Sequence, residues 1–171
     1  MHTLPSFRRS GVALASVAAL LMGGLAPGAA NAHTGGTETR AAHDLVKTLK
    51  KSTKDLRKVE DAMKAGYLPE GPCVEVPGLG AMGVHYVNGA LVDGVIDPKA
   101  PEVLVFMPDD RGRLDLVAVE FLTVGLTQAP SVAGIPFEEG PFPGNHSLHA
   151  WIYEKNPSGT FAAFNPNLSC P

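Results

Sequence analysis

The chain has 171 residues, of which 44% are hydrophobic and 18% are charged, and its formal net charge is −3. This length suits one domain with its own hydrophobic core rather than several domains. The excess of acidic residues argues against nucleic acid as a partner, because binding to phosphates requires clustered lysine and arginine.

Residues 1–32 have the pattern of a signal peptide. Two arginines precede an apolar segment at residues 11–25, and Ala30 and Ala32 satisfy the small-residue rule for cleavage. The arginine pair also suits the Tat route, but Phe7 stands where that signal prefers a hydroxyl residue, so we expect export by the Sec route. The predicted mature protein is one secreted or otherwise extracytoplasmic domain, residues 33–171. No segment within it reaches the ~20 apolar residues of a transmembrane helix, so it is not expected to be an integral membrane protein.

An amphipathic helix is predicted over residues 40–65. Apolar residues recur there at three- and four-residue spacing, with lysines on the opposite face, and Gly66 is a typical C-terminal stop. Ser52 and Thr53 mark a point where the helix is expected to bend. The apolar stripe should pack on a sheet, while the basic face is either a solvated surface or a docking surface for a partner.

Five or six short strands are predicted after the helix. The alternation of residues and the turn signals place them at residues 73–76, 82–87, 102–107, 114–124, 146–153 and 161–164. Residues 130–144 are rich in Pro and Gly and are predicted to form a long surface loop. The sequence therefore predicts an α+β domain, in which an N-terminal amphipathic helix packs on a curled antiparallel sheet of five or six strands.

Cys73 and Cys170 are predicted to form a disulfide bond. An even number of cysteines in an exported protein is typical of a disulfide. The alternative, a redox or metal-binding thiol pair, lacks the C-x-x-C spacing.

The strand at residues 114–124 contains a carboxylate in an apolar row. Strict alternation puts Leu114, Leu116, Ala118 and Leu122 on the same face as Glu120. A buried and unpaired carboxylate costs several kcal/mol or takes up a proton, so Glu120 should have a partner.

His85 and His149 are the candidate partners, since each lies inside another predicted strand. Two imidazoles and one carboxylate can coordinate zinc, copper or non-haem iron and leave positions open for water or substrate. They can also serve as acid and base without a metal. Tyr86, Trp151 and Tyr153 are the predicted lining of this small-molecule or metal pocket. His146 is a further candidate for a ligand at the rim, although a three-residue spacing on a strand puts it on the opposite face from His149.

Several alternatives remain open from the residues alone. The histidines can be ordinary core residues, and Glu120 can pair with Arg111, Arg113 or Tyr86. The aromatic residues near the C-terminus can be core or a platform for a ligand. Cleavage after Ala32 would leave His33 at the N-terminus, where its amine and ring can chelate copper.

Three sequence blocks resemble a family of exported bacterial proteins of uncharacterised activity. They are GAMGVHYVNGALVDG from Gly80, PEVLVFMPDDRGRLDLVAVEFLTV from Pro101 and LHAWIYEKNPSGTFAAFNPNLSC from Leu148. The segment before His146 is shorter than in such proteins. The resemblance implies export and a small α+β domain, and it implies no particular reaction. The leading hypothesis is thus an exported domain with a ligand or metal pocket. The alternatives are a non-enzymatic interaction protein and a copper site at His33.

Overall fold

The computed structural model describes residues 38–140 and 142–171. The predicted signal peptide and His33 lie outside these residues. Within them, no helix is long and apolar enough to cross a membrane.

Two helices occupy the segment where one was predicted. Helix α1 spans Arg40–Ser52, and the side chain of Thr39 caps its first turn by accepting a hydrogen bond from Ala42 N at 3.2 Å. The buried hydroxyl of Thr53 donates to Leu49 O at 2.7 Å, where the helix ends. The short helix α2 follows at Val59–Lys64. Thus the predicted bend is a full break of the helix, because the hydroxyl and amide of Thr53 both bond the last turn.

The strands form a curled antiparallel sheet, which confirms the predicted sheet. They are β1 Leu68–Val76, β2 Gly80–Val87, β3 Val103–Pro108, β4 Leu114–Thr123, β5 Ser131–Val132, β6 Ile135–Pro136, β7 Glu138–Glu139 and β8 His146–Ala150. In the described residues the main sheet has six strands in the order β1-β2-β3-β4-β8-β7. Strands β5 and β6 form a separate two-stranded sheet.

Several predicted boundaries differ from the structure, and the first is that of β1, which begins at Leu68 rather than at residue 73. The predicted loop at residues 130–144 contains β5, β6 and β7, and β7 pairs with β8. Strand β8 ends at Ala150 because the amide of Trp151 donates to Thr160 O, outside the sheet. Residues 161–164 are turns rather than a strand, and only the next residue, Asn165, makes an isolated bridge to Ala81.

A β-bulge in β4 interrupts the strict alternation of side chains that was predicted for this strand. Val105 pairs with Ala118 and Phe106 pairs with Leu116, so Val117 is an extra residue. Leu116 consequently shares a face with Val119 and Phe121, instead of the face that carries Glu120.

Each face of the sheet has its own hydrophobic cluster. The helix-side core joins residues of both helices to one face of the sheet, including Leu45, Leu49, Phe106 and Phe121. The tail-side cluster lies on the other face and includes Val103, Val105, Met107, Ala118 and Trp151.

The C-terminal tail is tied to the tail-side cluster by the predicted disulfide, which is confirmed. Cys73 and Cys170 are bonded across a sequence separation of 97 residues. Leu168 and both cysteines pack against the tail-side cluster. The tail therefore covers part of the face on which Ala118 and its neighbours lie.

Candidate metal centre

Three strands bring His85, Glu120 and His149 together. His85 lies in β2, Glu120 in β4 and His149 in β8. Glu120 is directly opposite His149 in the β4–β8 pair. His85 reaches the same point across β3, which lies between β2 and β4. The predicted convergence of the three side chains is thus present, on the tail side of the sheet.

The distances within this group suit one shared ion. His85 Nε2 is 3.5 Å from Glu120 Oε2, and His149 Nδ1 is 3.8 Å from Glu120 Oε1. One ligand atom from each of the three residues lies within 4.8 Å of the others. A tetrahedral ion with bonds of about 2.1 Å separates its ligand atoms by about 3.4 Å. The side chains therefore need only small shifts to coordinate an ion.

Burial sets the charge of the three groups. It lowers the pKa of His149 to about 4. It also lowers the pKa of His85, an effect that the nearby Glu120 opposes. Burial raises the pKa of Glu120, while His85 and Ser147 act in the opposite direction. Both imidazoles are consequently neutral at pH 7, which is the form in which histidine coordinates metals.

Two neighbouring groups support the candidate ligands. The side chain of Ser147 favours the charged form of Glu120, and the ring of His85 has a hydrogen bond to the backbone of Gly83. Contacts of this kind orient metal-binding side chains and fix the histidine tautomer. Gly83 has a φ of +119°, and a Cβ there would lie 2.8 Å from Phe106 O. Only glycine fits this position without strain.

His149 has a nitrogen that no protein group satisfies. Its side chain is 3% exposed, and Nε2 is buried without a hydrogen-bond partner. Leaving such a group unpaired costs about 1–3 kcal/mol. The nitrogen that faces Glu120 is Nδ1, so an ion held between these two groups would leave Nε2 to be satisfied separately.

The predicted alternative partners of Glu120 are engaged elsewhere. The side chain of Arg113 donates two hydrogen bonds to Asp109 Oδ2, at 2.7 and 2.9 Å. Arg111 is exposed to solvent. Tyr86 faces the helix-side core, where its ring lies 5.0 Å from that of Phe106. Among the described residues, the only cationic or imidazole nitrogens within 4.0 Å of Glu120 belong to the two histidines.

Of the three predicted lining residues, Tyr86 and Tyr153 belong to the helix-side core, whereas Trp151 lies on the tail side with the three donors. Tyr86 lies on the opposite face, as its alternation with His85 requires. The hydroxyl of Tyr153 is 3.1 Å from Lys50 O, and its ring packs under the guanidinium of Arg57. Trp151 belongs to the tail-side cluster and donates to Ala162 O at 2.6 Å. Each aromatic residue therefore has a structural role in the packing.

Sequence reasoning missed Ser147 and Gly83. Ser147 is two residues from His149 on β8, so alternation alone places both on the same face. No sequence pattern relates Gly83 to the site, because its role depends on the close approach of β2 and β3.

Comparison with protein-family models, with curated proteins and with solved structures found no match to this chain. The site is therefore interpreted from its own geometry.

Proposed function

We propose that this protein is a small exported domain that binds one divalent transition-metal ion through His85, Glu120 and His149. Zinc, copper and iron all accept two imidazoles and one carboxylate. The observation that carries the proposal is the convergence within 4.8 Å of three donors from three strands, of which Glu120 and His149 are buried and His85 is half-buried. The proposal assigns metal binding and no reaction.

Export is part of the proposal. The leader-like pattern of residues 1–32 supports passage through the Sec route, and a disulfide is typical of an oxidising compartment. The resemblance to exported bacterial proteins agrees with this assignment. The mature, metal-binding form of the protein would then be residues 33–171.

The ion would relieve the cost of burying the charge of Glu120. It would bind the ionised form of Glu120, whose charge is otherwise unfavourable in a buried position. It would also accept a nitrogen lone pair from His149. Because the ligands must be deprotonated, metal binding should release protons and weaken as the pH falls.

Metal titration of the purified protein after chelation tests the proposal. We expect one zinc or cobalt ion per chain, and a gain in stability of about 2.7 kcal/mol at a free metal concentration of 100 times Kd. The variant His149→Asn should lose this binding. His146→Asn is the matched control, since His146 is also buried in β8 but lies on the opposite face. Equal binding by the two variants, or none by the unchanged protein, would contradict the proposal.

A second candidate function is a non-enzymatic interaction with another exported molecule. A surface cleft of about 560 Å³ lies between the start of α2 and the β3–β4 hairpin, away from the three donors. Its lining carries both signs of charge and comprises Lys58, Val59, Glu60, Arg113, Leu114 and Asp115. Loss of partner capture from an extracellular fraction on Lys58→Glu plus Arg113→Glu, with metal binding intact, would favour this function.

A further inference from the structure

We infer that the metal ion at His85, Glu120 and His149 keeps a coordination position open to solvent, and that this position takes a small monovalent anion. The inference rests on the proposed metal site and goes one step beyond it. It concerns what the site binds once the ion is in place.

The first step is the number of protein donors. Among the described residues, no fourth His, Cys, Asp or Glu joins the group of three. Transition metals of this class take four or more ligands, and sites with three protein ligands leave a position for an exogenous one. The apolar floor formed by Val103, Val105 and Ala118 offers no further side-chain donor from the sheet.

The second step is the direction from which solvent reaches the site. The side chains of His85 and Glu120 are 13% and 11% exposed, whereas that of His149 is 3% exposed. His149 therefore lies at the back of the site, and the remaining two ligands lie at its opening.

The strand neighbours of the ligands show where this opening lies. Toward one end of the strands, Gly83, Ala118 and Trp151 are buried, and the disulfide-linked tail packs against the cluster that contains Ala118 and Trp151. Toward the other end, the corresponding residues Val87, Leu122 and Ser147 are half-buried. The opening is thus framed by two half-buried apolar side chains and one hydroxyl, and we expect these side chains to restrict it to small ligands.

The third step is charge. Two neutral imidazoles and one carboxylate contribute a charge of about −1, so a divalent ion leaves the site with about +1. An anion at the open position completes this charge balance. Azide, cyanide and thiocyanate have the required size and charge.

Azide titration of the cobalt-loaded protein tests the inference. Binding of cobalt is measured first, because failure of that step overturns the proposed function together with this inference. With cobalt bound, we expect azide to change the visible d–d absorption and to saturate at one azide per ion. An unchanged spectrum would overturn this inference alone, since it would show a closed coordination sphere.

A variant at the opening separates binding at the ion from binding elsewhere. Leu122→Phe should narrow the opening and weaken azide binding about tenfold, or ~1.4 kcal/mol, with cobalt affinity unchanged. Val124→Phe is the matched control, because Val124 is exposed just beyond β4.

A larger anion tests the size of the opening in the unchanged protein. Benzoate is expected to leave the cobalt spectrum unaltered, because it is larger than azide. A response to benzoate equal to that to azide would contradict the narrow opening.

Discussion

Glu102 and Glu120 are both buried glutamates on neighbouring strand segments, yet their surroundings give them different roles. Glu102 is 1% exposed, and its Oε2 accepts a hydrogen bond from Leu122 N at 3.1 Å. It lies near Tyr67, a member of the helix-side core. Glu120 faces two imidazoles on the tail side instead. The carboxylate of Glu102 is used by the backbone of the sheet, whereas that of Glu120 is left to face side chains that can bind an ion with it.

The two buried histidines of β8 repeat this contrast. His146 and His149 each have a buried nitrogen without a hydrogen-bond partner. Only His149 lies beside a carboxylate, because the three-residue spacing sends the two rings to opposite faces. Burial and an unpaired nitrogen therefore do not define the site, and the shared face does.

The largest expected difference between the two glutamates is in metal affinity. Glu120→Gln removes a charged ligand and should weaken zinc binding by about 100-fold or more, which is ~2.7 kcal/mol. Glu102→Gln, the matched control, should leave the affinity within about threefold, or ~0.7 kcal/mol. Isothermal titration of both variants measures the difference. Similar losses in the two variants would remove the distinction between the faces.

The next effect is in the pH dependence of stability. Burial raises the pKa of Glu102 from 4.5 to about 6, so the folded state holds this proton more tightly than the unfolded chain. The contribution of Glu102 is therefore fully present below pH 4.5 and is lost as the pH rises to about 6. This contribution of Glu102 to the free energy of unfolding is about 2 kcal/mol.

Denaturant unfolding of the metal-free protein at several pH values checks this effect. Glu102→Gln should remove the corresponding fall in stability between pH 4.5 and 6. A variant that keeps the full slope would show that another group, such as Glu120, is responsible for it.

The smallest effect is expected at Ser147. Its side chain favours the charged form of Glu120, so Ser147→Ala should weaken zinc binding about three- to tenfold, or ~0.7–1.4 kcal/mol. Ser131→Ala is a suitable control, because Ser131 is exposed in the separate β5–β6 sheet. Equal affinity in the Ser147 variant and the unchanged protein would leave Glu120 without a supporting contact.

The sequence by itself determined the antiparallel sheet, the disulfide pairing and the three residues of the candidate site. These features could be predicted because they depend on local sequence. Strand alternation, turn residues and an even pair of cysteines are properties of short segments, and polar residues inside apolar strands are visible without a structure. The sequence named His85, Glu120 and His149 as candidates, and the strand order and register of the sheet bring them together.

Only the tertiary structure decided which side chains share a face with that site. The bulge at Val117 moved Leu116 to the helix side, and the strand order placed β3 between His85 and Glu120. Tyr86 packs against Phe106 and Tyr153 donates to Lys50 O, both away from the site. Ser147, in contrast, lies next to Glu120. Such outcomes depend on register and on long-range packing, because a shift of one residue turns every following side chain to the opposite face.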